Sequence, residues 1–510
     1  MLNLSLFDEA PPQPCPRPFN MAGYVLAAGL ATPEKPALEV LSAQGSRRLS
    51  HGALRHRVLS CATGLLEAGL APGERLLMRI GNSADFPVVF LAAIAVGIIP
   101  VPSSTQLTER ETRALIADLQ PAALVAGPGI AVPADIPCPV IAAATLTEAP
   151  DIPEARIVMG DPDRLAYIIY TSGSSGRPRA VMHAHRAVWA RRMMWSGWLG
   201  LGPDDRLLHA GAFNWTYTLG VGLCDPWAIG ASALIPAEGT DRATLALLLR
   251  RHRASIFAAA PGVYRQLLNT GADLEFPQLR HALSAGEALP AALRKAWVTA
   301  SKRPIFEALG MSEISTFVSA SPTTPAPQGA TGKPQMGRRV AVLSERNFAI
   351  QPVDTPGILA IDRKDPGLML GYRGAPRETA EKFVGDWFLT GDIVRMDSAG
   401  FVTYLGRSDD MMNAGGYRVS PLEVEAVLNA HPDIIESAAV SIEVKADTFV
   451  IAAFYQSDID LPDKALADYC AKRLARYKCP RLFRRIQTLP KGANNKLRRK
   501  DLRAETGKLP

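Results

Sequence analysis

An alternation of helix-period and strand-like apolar segments constrains this chain more than any other feature in it. Over residues 54–68, Leu54, Val58, Leu59, Ala62, Leu65 and Leu66 recur at helical spacing, and Gly69 follows as a C-terminal cap. Pro72-Gly73 then turns the chain into a short apolar run over 76–80. The pattern repeats as a helix over 109–119 before a strand over 122–126, and as a helix over 243–252 before a strand over 254–259. Strands this apolar have no solvent face and need a layer on each side, which predicts an α/β fold of layered, largely parallel sheets.

The later chain reads differently. Residues 321–332 are rich in Pro, Thr and Gly and read as a loop. Hairpin signals cluster over 363–404, with DSAG at 397–400 between apolar stretches over 393–396 and 401–405, which predicts a β-rich subdomain closing the large domain. A small α/β unit follows, with helices over 421–429 and 464–474 and strands over 437–442 and 448–455. The polar stretch 407–410 separates the two patterned regions. The expected organisation is a large multi-subdomain N-terminal domain over 1–406, a hinge over 407–410 and a small C-terminal α/β domain over 411–510. No repeat of fixed period is present, which excludes a solenoid or propeller.

Composition removes several functions. The net charge is +7, but Lys and Arg are not interleaved with aromatics along one stripe, so no nucleic-acid partner is expected. The densest basic cluster runs from Lys472, Arg473, Arg476 and Lys478 through Arg481, Arg484 and Arg485 to Lys496, Arg498, Arg499, Lys500 and Arg503. It reads either as a solvated helical face with a basic tail or as a surface for a polyanion such as ATP or CoA. The six cysteines are scattered without a CxxC pair, which points to a reducing compartment and away from structural zinc. The N-terminus lacks a basic segment followed by an apolar one, so no signal peptide is expected and the location expected is cytoplasmic. The charge-free run 87–102 contains Gly97, Pro100 and Pro102 and reads as a buried helix leading into a core strand, not a membrane span.

The run YTSGSSGRPRAV over 170–181 follows an apolar stretch over 165–169. Small residues let the backbone approach a polyphosphate, amide N–H groups and hydroxyls supply donors, and Arg177 and Arg179 supply charge. Alone, a Gly/Ser loop is more often a flexible connector, and no Walker spacing fits this one. Its company makes it specific: SAGEALP at 284–290, LGMSE at 309–313, LTGD at 389–392, YLGRSDD at 404–410, GGYRVSP at 415–421 and LPKGANNK at 489–496. With these motifs in this order, nearly the whole chain resembles the acyl-adenylate-forming superfamily. That superfamily includes acyl-CoA synthetases, firefly luciferase and peptide-synthetase adenylation domains, and the likeness is to benzoate-type acid:CoA ligases in particular.

The resemblance implies a role for each motif. Thr171, Ser172, Gly173, Ser174, Ser175, Gly176 and Arg179 would hold the triphosphate of ATP. Gly286, Glu287 and Ala288 would line the adenine side together with Leu309, Gly310 and Met311, and Ser312 would touch the α-phosphate. Glu313, which in isolation reads as an exposed carboxylate, would hold Mg2+. Asp392, otherwise part of a simple Gly-Asp turn, would accept both ribose hydroxyls with Arg407 beside it. Lys496, otherwise one more lysine of a basic tail, would bridge the acid's carboxylate and the charge developing on the phosphate. Lys496, Glu313 and Arg407 form the expected catalytic set. In the superfamily the small domain rotates after adenylation, which places a pivot at Asp409 and a pantetheine passage beside Gly415, Gly416 and Tyr417.

The chain departs from the family pattern at Arg179 and Ala180, where Lys and Gly are usual, and at Ser175, where Thr is common. Charge and hydroxyl survive these changes. Leu309 stands where an aromatic often stacks on adenine, Asn413 where many members carry a second lysine, and Asn494 and Asn495 where a Gly is usual. The acid segment AFNWTYTLG at 212–220 lacks the Asp that pairs with an α-ammonium, which disfavours an amino acid. Phe213, Asn214, Trp215, Tyr217 and Ile314 are the expected pocket residues, for an aryl or short-to-medium acid. CoA is the expected acceptor, a free-standing carrier protein is the alternative, and a homodimer is compatible with the sequence. Luciferase-like oxidation and a non-catalytic binding protein are the remaining rivals, and intact Glu313, Asp392, Arg407 and Lys496 speak against the last.

Overall fold

The computed structural model describes residues 3–148, 152–172, 178–414, 417–445, 448–492 and 497–506. The first expected pair is the helix His51–Glu67 and the strand Arg75–Arg79. The helix starts where the Ser50 side chain accepts from the Ala53 amide, and its buried Leu54, Val58, Cys61, Ala62 and Leu65 share one face. Gly69, at φ +88°, ends it in a conformation that favours glycine.

The charge-free run becomes the helix Asp85–Ala95, buried at every position, and the strand Ile99–Pro102. Each Val, Leu, Ile or Phe buried there contributes about 1.5–3 kcal/mol relative to exposure. Its apolar character therefore reflects an interior position, and among the described residues no helix is long and apolar enough to cross a membrane. The strands Arg75–Arg79, Ile99–Pro102, Ala123–Ala126 and Val140–Ala142 form a parallel sheet.

A second sheet has nine strands among the described residues. Six of them, Pro36–Leu41, Ser232–Pro236, Arg206–His209, Ile256–Ala259, His281–Ala285 and Ile305–Met311, run parallel side by side. The hairpin partner Ser315–Ser319 adds antiparallel to the last of these. The helix expected over 243–252 is shorter, Leu245–Arg251, because Asp241 caps a preceding 3-10 turn at Arg242–Thr244.

The β-rich subdomain is antiparallel and includes Arg339–Leu343, Gly357–Asp362, Trp387–Met396 and Val402–Arg407. It also recruits Leu6–Asp8 from the start of the chain, which no local sequence pattern indicates. Beyond residue 411, the helices Pro421–Leu428 and Asp463–Ala471 pack on the strands Glu436–Lys445, Thr448–Gln456 and Leu482–Arg485. Met412, Val424, Leu428, Ile451 and Leu466 belong to a core built only from residues of this part. The basic tail is in part neither a solvated face nor an open anion surface. Arg499 is largely buried and donates to both oxygens of Glu425 at 2.6 and 2.7 Å, and Lys478 pairs with Glu423 at 2.8 Å.

Candidate active site

The strands Leu165–Ser172 and Pro178–Ala184 form an antiparallel hairpin in which Thr171 opposes Arg179 and Ser172 opposes Pro178. Gly173, Ser174, Ser175 and Gly176 lie outside the described residues, so the structure fixes the ends of the loop. Arg179 pairs through Nε with Glu378 Oε2 at 2.8 Å, and its guanidinium lies 5.2 Å from the Tyr372 ring centroid. The Tyr372 hydroxyl donates to Glu313 Oε1 at 2.6 Å. Burial and the charge of Glu313 push the Tyr372 pKa up, so the phenol keeps its proton and the carboxylate is the acceptor.

Glu313 sits in the tight turn between Ile305–Met311 and Ser315–Ser319, where its carbonyl accepts the Met369 amide at 2.8 Å. Gly310 permits this turn, since a Cβ there would lie 2.4 Å from the Ser315 carbonyl oxygen. Leu309 and Met311 pack at the margin of the β-rich core.

Asp392 is buried on Trp387–Met396, opposite Arg407 on Val402–Arg407. Arg407 Nη1 donates to Asp392 Oδ1 at 3.1 Å and to the Thr390 carbonyl at 3.0 Å, while the Asp392 amide donates to Thr390 Oγ1 at 3.0 Å. Burial opposes the charge of Arg407, but Asp392, Asp409 and Tyr404 hold its pKa above the usual guanidinium value.

Lys382 was not singled out from the sequence, because it belongs to no motif. Burial lowers its pKa, Arg407 and Arg179 push it the same way, and Glu313 and Asp392 oppose them. One side chain thus feels four of the expected site residues, which the sequence spreads from 179 to 407.

Gly286 follows the strand His281–Ala285 at φ +98°, and a Cβ there would come within 2.7 Å of the Trp215 ring. The segment is braced by Glu307, which accepts from the Leu289 amide and from Arg294, each at 2.8 Å. Burial pushes the Glu307 pKa from 4.5 up to about 7, against the pull of Arg294. The folded state therefore holds this proton more tightly than the unfolded chain does. The associated stability is complete below pH 4.5 and is lost as pH rises through about 7. Glu307→Gln is expected to flatten that fall in melting temperature, measured by thermal melts across the same window.

One cavity lies close to the residues expected for the acid and includes only part of them. A compact cavity beside Ser312 is lined by His183, Arg191, Leu219, Gly220, Ile314 and Ser315, among others. Of the expected pocket residues, Ile314 lines it, whereas Phe213, Asn214, Trp215 and Tyr217 do not. Thr216, Leu219, Gly220 and Cys224 do line it, and their spacing places them on one face of a helical turn. Phe213 and Tyr217, four residues apart, point elsewhere. Phe213 stacks on Phe86 at 5.1 Å within the N-terminal core, and Tyr217 donates to the Leu283 carbonyl while packing on His209 at 4.3 Å.

Arg191 forms one wall of this cavity. Its Nε and Nη2 donate to the two carboxylate oxygens of Asp225 at 2.8 and 2.6 Å, and Nη1 donates to Ser315 Oγ at 2.5 Å. Gly220 is required beside it, since a Cβ would lie 2.3 Å from the guanidinium carbon.

Asp409 is exposed and lies 3.6 Å from Arg407 Nε, while Arg503 donates to its carbonyl at 3.4 Å and to Asp410 at 3.2 Å. Gly415, Gly416 and Lys496 lie outside the described residues, as does the Tyr417 side chain. Among the described residues, no group of three or more His, Cys, Asp or Glu side chains could hold a metal ion.

Residues 27–373 match the family model for AMP-binding enzymes, and residues 423–496 match that for the AMP-binding enzyme C-terminal domain. The chain is 29% identical over 509 residues to a 3-hydroxybenzoate–CoA ligase of Aromatoleum sp. (strain CIB), with 95% of each chain covered. It is 29% identical to a benzoate–CoA ligase of Thauera aromatica, covering 99% of this chain and 100% of the relative. The structure of a benzoate CoA ligase from Burkholderia xenovorans LB400 superposes with a TM-score of 0.85 at 27% identity, covering 95% of this chain and 100% of that one.

Proposed function

The chain belongs to the AMP-binding enzyme family, and from that membership we propose that it is an ATP-dependent carboxylic acid:CoA ligase acting on an aryl or short-to-medium-chain acid. The observation that carries the proposal is that, at the loop end of the 165–184 hairpin, Tyr372 joins Arg179, 5.2 Å from its ring, to Glu313, which accepts its hydroxyl at 2.6 Å, while Arg407 holds Asp392 at 3.1 Å. A carboxylate oxygen of the acid attacks the α-phosphorus of ATP, forming the acyl-phosphate bond as the bond to the β-phosphate oxygen breaks and pyrophosphate leaves. The CoA thiol, losing its proton, then attacks the acyl carbon and AMP leaves.

Asp392 accepts the ribose hydroxyls, with Arg407 holding its carboxylate in place. Ser312 and Glu313 stand at the phosphate side, and the Tyr372 hydroxyl fixes the orientation of Glu313. Mg2+ ordinarily takes one or two carboxylates plus substrate phosphates, so a lone Glu313 beside a phosphate loop fits it, and the ion would neutralise phosphate charge. Lys496 supplies the positive charge between acid and phosphate. Residues 407–410 act as the hinge between the domains over 1–406 and 411–510, with Asp409 as pivot. Gly415, Gly416 and Tyr417 line the route for pantetheine. A cytoplasmic location belongs to the same reading, supported by six cysteines that are all unpaired.

The purified protein with ATP and Mg2+ is expected to show acid-dependent pyrophosphate exchange, and with CoA a thioester detectable by mass. No exchange across a broad acid panel would sink the proposal, while exchange without any thioester would move the acceptor to a carrier protein.

A further inference from the structure

We propose that a second cavity, at the end of the nine-stranded sheet opposite to Gly286, binds a phosphate-bearing anion. It encloses about 390 Å3 and is lined by Glu39, Arg48, Arg206, Arg251, His252 and Arg253, among others. Arg206 begins the strand Arg206–His209, and Ser255, also in the lining, directly precedes Ile256–Ala259. Gly286 instead follows the last residue of His281–Ala285, which runs parallel to these strands. The cavity is therefore separate from the nucleotide site proposed above.

Its charges do not balance. Four guanidiniums face two carboxylates, Glu39 and Asp204, so two positive charges are left over. Glu39 is 1% exposed and both its oxygens are engaged, Oε1 by Arg206 at 2.9 Å and Oε2 by Arg48 at 3.3 Å and His252 Nδ1 at 3.1 Å. The Asp204 side chain is wholly exposed and stands 3.5 Å from Lys35. Arg251 is anchored by the Ala43 carbonyl at 3.0 Å, which holds it without cancelling its charge. Among the described residues, no hydrogen bond or ion pair engages the Arg253 guanidinium. Planar guanidiniums present paired N–H donors that match the oxygens of a phosphate.

His252 narrows the class of anion. Burial pushes its pKa down, Glu39 opposes that, and Arg206 and Arg251 push it down further, so the imidazole is uncharged at neutral pH. Burial raises the Glu39 pKa, but Arg206, Arg48 and His252 outweigh it, so Glu39 is the ionised acceptor and His252 Nδ1 the donor. Nε2 is then a bare acceptor, buried and without a partner among the described residues. Hydrogen phosphate brings a P–OH donor together with its negative charge, whereas an ionised dicarboxylate brings charge alone.

The test titrates the full chain with inorganic phosphate by calorimetry, against sodium chloride at matched ionic strength and against succinate. Phosphate is expected to bind more tightly than succinate and to raise the melting temperature in a concentration-dependent way. Arg253 stands at φ +52°, in the region that favours glycine, so Arg253→Gly should melt no lower than the parent without phosphate. The same variant should bind phosphate about 10-fold more weakly, the loss of one charge-assisted hydrogen bond. Arg179→Ala, at the 165–184 hairpin, should retain this binding. An unchanged phosphate affinity in Arg253→Gly, equal affinity for succinate, or loss of binding in Arg179→Ala would overturn the proposal. Glycerol 3-phosphate distinguishes two sources of the group: tighter binding than inorganic phosphate assigns the site to a phosphorylated metabolite, and weaker binding assigns it to the free anion.

Discussion

Asp225→Ala is expected to destabilise the protein by about 3–5 kcal/mol, because it leaves the Arg191 guanidinium buried and uncompensated. The side chains of Arg191 and Asp225 are only 10% and 1% exposed, and two hydrogen bonds link them. Their mutual attraction offsets the desolvation of both charges, so removing one partner exposes the full cost of the other. Replacing both, as in Arg191→Leu with Asp225→Leu, should recover most of the loss, since a buried ion pair often matches an apolar pair of similar volume. Chemical denaturation of the two variants checks this. A single variant as stable as the parent would show that the pair does not act as a unit.

Asp392→Ala is expected to weaken ATP binding by about 10²–10⁴-fold. A hydrogen bond to a charged group is worth about 1.5–3 kcal/mol, and two ribose hydroxyls are assigned to this carboxylate. The same change removes the partner 3.1 Å from Arg407, whose raised pKa owes most to Asp392 among its neighbours. Asp392→Asn keeps the shape and one acceptor and should lose less. Calorimetric titration with ATP measures both, and an unchanged affinity in the Ala variant would remove Asp392 from the nucleotide site.

Much of the fold was legible because its signals are local. The buried face of His51–Glu67 and the wholly buried Asp85–Ala95 follow from apolar spacing within a few turns. The recruitment of Leu6–Asp8 into a sheet with Arg339–Leu343 carries no such signal, since the pairing partner lies more than three hundred residues away. The active-site motifs divide in the same way. Glu313, Asp392 and Arg407 stand out in short strings whose chemistry is written in neighbouring residues. Tyr372 reaches Glu313 across 59 positions, and Lys382 joins the cluster only because the β-rich subdomain folds over the hairpin.

By itself the sequence determined the layered α/β class and the order of the motifs, and it supplied the candidates for a phosphate loop, a ribose carboxylate and a terminal lysine. Only the tertiary structure decided which side chains line the cavity beside Ser312. Helix pitch near Thr218–Cys224 turns Leu219 and Gly220 into the cavity and Tyr217 away from it, and Asp225 neutralises an arginine 34 residues earlier. The physical reason is that periodicity records which residues are buried, whereas a pocket is defined by which buried faces meet across distant segments.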